Sequence, residues 1–142
     1  MRIAARKNPN SILSRREQLI SEHLRAASLS EVFPEVEQLR IELVFDDLDG
    51  RSPAPSAQLH TLYSAAPAFF RFACPCADCD GEFDLTDAVI PLIAAGAGRK
   101  RAAFREGHVS CRGVRFRGHA QHETCCRIQL TFRLHTEPRR AG

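Results

Sequence analysis

The stretch FRFACPCADCDGEF, from Phe70 to Phe83, places Cys74, Cys76 and Cys79 within six residues. Thiols at this density pair as disulfides, attack a substrate or share a soft metal ion. Tetrahedral Zn²⁺ accepts thiolates that are separated by two to four residues on one turn. The turn therefore predicts one half of a zinc site, and the other half has to come from the remaining cysteines, Cys111, Cys125 and Cys126.

Composition argues for a metal rather than for disulfides. The chain has 142 residues, of which 44% are hydrophobic and 26% charged, as in globular proteins of one domain. It has no apolar run of membrane-spanning length, and MRIAARKNPNSIL has no hydrophobic core of a signal peptide. We therefore predict a cytoplasmic protein without membrane contact, and a reducing compartment disfavours structural disulfides.

Strand phase and turn chemistry select the candidate ligands. Cys74 follows Phe70 and Phe72 at a spacing of two, which predicts a buried thiol, whereas Cys76 and Cys79 form a CxxC pair followed by glycine. Both pairings with Cys79 are geometrically acceptable. Farther along, Cys126 shares its strand face with Ile128, which favours it over Cys125. The predicted zinc ligands are Cys74, Cys79, Cys111 and Cys126.

Other ligand sets stay open. Cys76 is the alternative to Cys74, and Cys125 is the alternative to Cys126. An imidazole is a second kind of alternative, because His108, His119 or His122 could replace a thiol, and two residues separate His122 from Cys125 as in a CxxC pair.

The pattern of the chain predicts an α+β fold. A basic N-terminus, 1–10, is predicted to be disordered, a single zinc-binding domain to span 11–136, and the tail 137–142 to fray. The domain starts with a helix that has a capping box at Ser14 and Glu17 and ends near residues 28–30. Its apolar stripe includes Leu13, Leu19, Ile20 and Leu24.

Alternation predicts an antiparallel sheet with one short helix. Strands are predicted at 39–45, 58–65, 69–74 and 126–134, and a helix at 86–95 that Gly96 ends. Glu106 and Gly107 are predicted to form the turn of a hairpin between 102–105 and 108–111. The segment 112–124 is predicted to be a loop.

The cysteine pattern resembles the zinc ribbon, a class of small antiparallel sheets in which two cysteine-bearing turns hold one zinc. The likeness covers about residues 69–134 and rests on CPCADCDG, on Cys111 with Gly113, and on Cys126 at the start of a strand. The whole chain also resembles small bacterial zinc-ribbon proteins of unassigned function. The resemblance implies a structural zinc and names no activity.

Charge is distributed unevenly along the chain. The net charge is +4 over residues 1–30, −9 over 31–96 and +8 over 97–142. The basic third either folds back on the acidic middle or binds an acidic partner. We therefore predict a non-enzymatic zinc-binding protein that acts as an interaction module and binds nucleic acid or an acidic protein. The sequence does not indicate its oligomeric state. Its candidate surface consists of Arg99, Lys100, Arg101, Arg105, Arg112, Arg115 and Arg117.

The alternative is an enzyme that uses the CxxC turn, either zinc-dependent or thiol-redox. PCADC matches the PCxxC half of the nucleobase-deaminase signature, but the HxE half occurs only at His135–Glu137, after the cysteines rather than before them. A thioredoxin-like dithiol needs a helix that starts at the CxxC, and here the predicted helix starts several residues later. No catalytic residues are therefore predicted.

Overall fold

A computed structural model describes residues 9–48, 56–76, 79–117, 122–125 and 127–139. It has the predicted α+β class. The helices are α1 (Pro9–Arg25), α2 (Leu29–Val32) and α3 (Thr86–Arg99). The strands are β1 (Val36–Asp47), β2 (Ser56–Tyr63), β3 (Arg71–Ala73), β4 (Glu82–Asp84), β5 (Ala103–Ser110), β6 (Val114–Arg117), β7 (His122–Cys125) and β8 (Ile128–Pro138).

The central layer is a four-stranded antiparallel sheet in the order β2-β1-β8-β5. Strand β1 lies beside β8, with Ile41 opposite Leu134 and Leu43 opposite Phe132. These residues point to one face and are buried, while the residues between them face outward, as the period of a strand requires. Burial of this apolar face against α3 and the β3–β4 hairpin forms the core.

Helix α1 differs from the prediction in its start and in its buried face. It begins at Pro9, so Ser14 lies inside the helix and cannot cap it. The capping box is formed instead by Ser28 and Glu31 at the start of α2, where each side chain accepts a hydrogen bond from the other residue's backbone N–H. Both sites match the S-x-x-E pattern, and the chain conformation decides which one caps.

The predicted apolar stripe of α1 is buried only in part. Leu19 and Ile12 are buried, whereas Leu13, Ile20 and Leu24 are exposed. The helix turns a narrow side toward the domain, and polar contacts described below hold it there. Within the described residues, no helix is long and apolar enough to cross a membrane.

Helix α3 continues through Gly96, where the sequence predicted its end. A methyl group on Gly96 would lie 3.3 Å from Thr136 Oγ1 and 3.3 Å from the Ala103 side chain. The glycine therefore allows the helix to lie close to β5 and β8, and it does not act as a C-terminal cap. Lys100, with a φ of 51°, supplies the left-handed residue just after the helix.

The predicted hairpin around Gly107 is wrong, because β5 is one continuous strand paired with β8 along its whole length. Gly107 lies opposite Phe132, and a Cβ at Gly107 would approach that ring to 2.8 Å. The glycine makes room for an aromatic side chain, a known reason for glycine inside a strand. Antiparallel strands β6 and β7 occupy part of the predicted loop 112–124.

The two predicted terminal segments both overlap elements of the structure. The segment 1–10, predicted to be disordered, overlaps α1 at Pro9, and residues 1–8 lie outside the described part. The tail, predicted to fray from residue 137, contains the end of β8 at Pro138. Glu137 pairs with Gln38 of β1, so the sheet extends to this end of the strand.

Candidate metal centre

The β3–β4 hairpin, here called the cysteine hairpin, carries the first part of the site. Arg71–Ala73 pairs with Glu82–Asp84, and Cys74 follows the first strand directly. The backbone N–H of Cys74 donates to the carbonyl of Gly81 at 3.0 Å, which closes the base of the turn. Within the turn, the N–H of Cys79 donates to the carbonyl of Cys76 at 3.2 Å. These two backbone hydrogen bonds position Cys74 and Cys79 within the hairpin.

Cys111 comes to the site from the main sheet. It follows β5 directly, and its backbone N–H donates to the carbonyl of Ile128 at 2.9 Å. This bond holds Cys111 against the first residue of β8. The candidate metal site therefore lies where the cysteine hairpin meets one end of the main sheet.

Three sulfur atoms meet at this junction. The Sγ atoms of Cys74, Cys79 and Cys111 all lie within 4.8 Å of one another, and these three residues are buried; we call them the thiol cluster. The distance between the sulfurs of Cys79 and Cys111 is 3.6 Å, far longer than the roughly 2.05 Å of a disulfide. Sulfurs bound to one tetrahedral Zn²⁺, with bonds of about 2.3 Å, lie about 3.8 Å apart. The cluster could therefore hold a metal ion.

Two similar turns surround these sulfurs. The N–H of Gly81 donates to Cys79 Sγ at 3.2 Å, and the N–H of Gly113 donates to Cys111 Sγ at 3.3 Å. In both cases the donor lies two residues after the cysteine, so each Cys-x-Gly segment bonds its own sulfur. Such bonds stabilise the thiolate, which is the form that binds metal.

The two glycines lie against each other. A Cβ on Gly113 would lie 2.5 Å from the backbone nitrogen of Gly81 and 2.7 Å from the Cys79 sulfur. A Cβ on Gly81 would clash with the Cys111 sulfur and lie 3.0 Å from Gly113 Cα. Only glycine at both positions lets the turns approach closely enough to bring their sulfurs together.

Three of the four predicted zinc ligands lie in the thiol cluster, and the fourth, Cys126, is not among the described residues. Within the described residues, the cluster contains Cys74, Cys79 and Cys111, and it does not contain the half-buried Cys76. Cys126 and the alternative His119 lie outside the described residues. For Cys125 and His122 the structure gives the backbone, in β7, and no side chain.

The sequence analysis missed a contact between α1 and the cysteine turn. The Nη2 atom of Arg16 donates to the carbonyl of Cys76 at 2.7 Å and to that of Cys74 at 3.3 Å. No local sequence signal marks this contact, because 58 and 60 residues separate the partners.

Ion pairs attach the same helix to the cysteine hairpin. Arg71 on β3 donates to Glu82 at 2.9 Å and to Glu22 of α1 at 2.5 Å, and Arg15 of α1 pairs with Glu82. The hydrogen bond to Glu82 is the largest cause that raises the pKa of Arg71 above its ordinary value. Four side chains thus form a chain of alternating charge between α1 and the hairpin.

The predicted basic surface is described in part. Lys100, Arg101, Arg105 and Arg112 are exposed, and we call this set the basic edge because it follows β5, an edge strand, and its two ends. The backbone of Arg99, Arg115 and Arg117 is described, but their side chains are not.

Comparison with known proteins gives no relative. No family model matches the chain, and neither a curated protein nor a solved structure matches it. The functional argument therefore depends on the geometry of the chain itself.

Proposed function

We propose that this chain is a non-enzymatic interaction module. A structural zinc ion stabilises its fold, and its basic edge binds nucleic acid. The observation that carries the proposal is the meeting of three buried sulfurs between two Cys-x-Gly turns. Soft thiolates in a closed tetrahedral site are typical of structural zinc. The resemblance to the zinc ribbon agrees with this choice of metal.

Cys126 is the proposed fourth ligand. Ile128 accepts a hydrogen bond from the Cys111 backbone at 2.9 Å, so β8 begins beside the thiol cluster. Cys126 is two residues before Ile128, within about 7 Å of chain length. A fourth thiolate would complete the coordination sphere and leave no open position for a reacting water.

Features of the cysteine hairpin support a structural rather than a catalytic role. A redox CxxC has a thiol at a helix N-terminus, where the helix dipole lowers its pKa. Here α3 begins at Thr86, seven residues after Cys79, and the Cys79 sulfur lies next to that of Cys111. Binding of the metal would instead contribute to folding, because the unfolded chain has no preformed site.

The basic edge supports a polyanionic partner. Arg101, Arg105 and Arg112 are exposed along one edge of the sheet, and Lys100 precedes them. Of the 20 basic residues, 18 are arginine, whose planar guanidinium suits phosphate. Arg112 lies between Cys111 and Gly113, so the proposed metal site would also fix the position of this cation.

Metal analysis of cysteine variants tests the zinc site. We expect one zinc ion per chain in the wild type and loss of that ion in Cys74→Ser, Cys79→Ser, Cys111→Ser and Cys126→Ser. The matched control is Cys76→Ser, which changes the neighbouring thiol and should retain the metal. Folded wild-type protein that binds no zinc after refolding with it would contradict the proposed site. Loss of zinc in Cys76→Ser alone would contradict the ligand set.

Binding to a random single-stranded oligonucleotide tests the surface. We expect binding at low salt that weakens steeply as salt rises, with a log–log slope of about −0.7 for each phosphate contact. The triple variant Arg101→Ala, Arg105→Ala, Arg112→Ala should bind more weakly and with a smaller slope. Arg40→Ala, on the outer face of β1, is the control. Absence of wild-type binding at low salt would overturn the nucleic-acid proposal and leave an acidic protein as the partner class to examine.

A further inference from the structure

A pocket that does not include the sulfurs of the thiol cluster lies on the inner face of the sheet near edge strand β2, and β3 of the cysteine hairpin forms one of its walls. It is a pocket of about 300 Å³ between β2, β3 and α1. Ile41 of β1 forms part of its lining, and Phe69 and Phe72 contribute aromatic walls. This volume is at the lower end of the range for small-molecule pockets, which suits a compound with one or two rings.

Two imidazoles from different elements converge on this pocket. His23 comes from α1 and His60 from β2, and each lies against an aromatic ring. The ring of His23 stacks on Phe69 with centroids 5.0 Å apart, and the ring of His60 lies 5.0 Å from that of Phe72. These contacts orient both imidazoles in a pocket whose remaining lining is apolar except for Gln58 and Arg71.

The hydrogen bonds of the two histidines leave capacity for a ligand. Nε2 of His60 lies 3.0 Å from Oε1 of Gln58, so Nε2 donates and Nδ1 is left for another partner. The described residues provide no hydrogen bond to the His23 imidazole. Two ring nitrogens from separate elements can therefore donate to one bound group when the rings are protonated.

The charges around the pocket favour a monoanion. None of its described lining residues is acidic, whereas His23, His60 and Arg71 can all be cationic. Arg71 is already paired with Glu22 and Glu82, and Glu82 is also paired with Arg15, so these four charges cancel. Because burial, and then the charge of His23, lowers the pKa of His60, the pocket gains a second positive charge less readily than the first. A ligand with one negative charge therefore matches the pocket better than a phosphate dianion.

We propose that this pocket, the histidine pocket, binds a small aromatic carboxylate. The ring of the ligand lies between Phe69 and Phe72 above Ile41, and its carboxylate accepts hydrogen bonds from His23 and His60. Apolar walls with a few converging polar groups are the usual composition of a small-molecule site. None of the residues that contact the ligand in this proposal belongs to the thiol cluster or to the basic edge.

Proton linkage gives the pocket a signature. Burial, followed by the charge of His23, lowers the pKa of His60 below its ordinary value in the free protein. A bound carboxylate favours the protonated imidazole, so binding is accompanied by proton uptake. The affinity for the carboxylate therefore rises as pH falls toward the pKa that His60 has in the protein without ligand. The other charged groups nearby, Arg71, Glu22 and Glu82, are paired with each other.

Titration of the full chain with 1-naphthoate tests the proposal. We expect saturable shifts of the imidazole C–H resonances of His23 and His60 in NMR spectra, and affinity that rises by up to about tenfold per pH unit as pH is lowered from 8 to 6. The neutral analogue 1-naphthamide should bind at least tenfold more weakly. Cyclohexanecarboxylate, which keeps the charge and lacks the aromatic ring, should also bind more weakly.

Variants separate the pocket from general surface binding. His60→Gln and His23→Gln should each weaken naphthoate binding by about tenfold and flatten its pH dependence, whereas His108→Gln on exposed β5 should change neither. Leu62→Trp, which fills the pocket without changing its charge, should abolish binding. Naphthoate that causes no saturable shift, that binds no better than the amide, or that binds equally to the His60 and His108 variants would overturn the proposal.

Discussion

Gly81 and Gly113, 32 positions apart in sequence, lie in van der Waals contact and hold the two halves of the thiol cluster together. Each donates its N–H to a cysteine sulfur of its own turn, at 3.2 and 3.3 Å. A side chain at either glycine would overlap atoms of the other turn. The approach of the sulfurs therefore depends on the backbones of both turns as well as on the cysteines. This relationship makes the glycines as testable as the thiols.

Gly113→Ala should separate the two turns. Its new methyl group would meet the Gly81 backbone and the Cys79 sulfur, so the expected loss is about 1–3 kcal/mol of unfolding free energy, with weaker metal retention. Urea denaturation and competition with a chelator measure these effects. The control is Arg112→Ala, an exposed position in the same turn, which should leave both unchanged. Wild-type metal retention in Gly113→Ala would show that the close approach is not required.

Arg16→Ala should loosen α1 from the cysteine hairpin. The change leaves the carbonyls of Cys74 and Cys76 without a charged donor and is expected to cost about 1–2 kcal/mol. Hydrogen exchange should accelerate in α1 more than in β1 or β8. Arg25→Ala is the control, because Arg25 bonds only a carbonyl of its own helix among the described residues. Equal exchange in the two variants would rule out a special role for Arg16.

Ser28→Ala should destabilise the protein by about 1 kcal/mol, because it removes the N-cap of α2. Ser14→Ala should change stability little, since Ser14 is exposed inside α1 and alanine has the higher helix propensity. Thermal denaturation of both variants compares the two capping-box patterns directly. A larger loss for Ser14→Ala would support the cap that the sequence predicted and contradict the helix start at Pro9.

Gly107→Val should destabilise the sheet although valine favours strands. A side chain at Gly107 would enter the space of the Phe132 ring, at an expected cost of about 1–3 kcal/mol. His108→Val, at the next and exposed position of β5, should be neutral or slightly stabilising. Urea denaturation gives both values. Similar stability of the two variants would argue against the observed strand pairing.

His60 should make stability decrease in mild acid. Its pKa is lowered in the folded protein, chiefly by burial, so the unfolded chain binds the proton more tightly. The resulting stability is complete above the ordinary value near 6.5 and is lost as pH falls through the lowered folded pKa. The difference in unfolding free energy between wild type and His60→Gln, followed from pH 7.5 to 5, isolates this effect from acid release of a metal. A difference that does not vary with pH would contradict it.

Much of the fold follows from local patterns. Alternation in β1 and β8 predicted the two central strands, since one face of each must be buried, and the phase of Phe70, Phe72 and Cys74 predicted a thiol that is in fact buried. Local patterns gave the wrong role for Gly96 and Gly107, which were predicted to end a helix and to form a turn. A turn and a close approach to another element both require the absence of a side chain, so the sequence alone does not separate them. Only the identity of the opposing residue distinguishes these two reasons.

The sequence by itself determined the α+β class, the central strands and the presence of two Cys-x-Gly segments. The tertiary structure decided which sulfurs meet, how Arg16 holds α1, and that His23 and His60 share a pocket. The physical reason is one of range. Periodicity and turn chemistry act within a few residues, whereas these contacts join segments that only the packing of the sheet brings together.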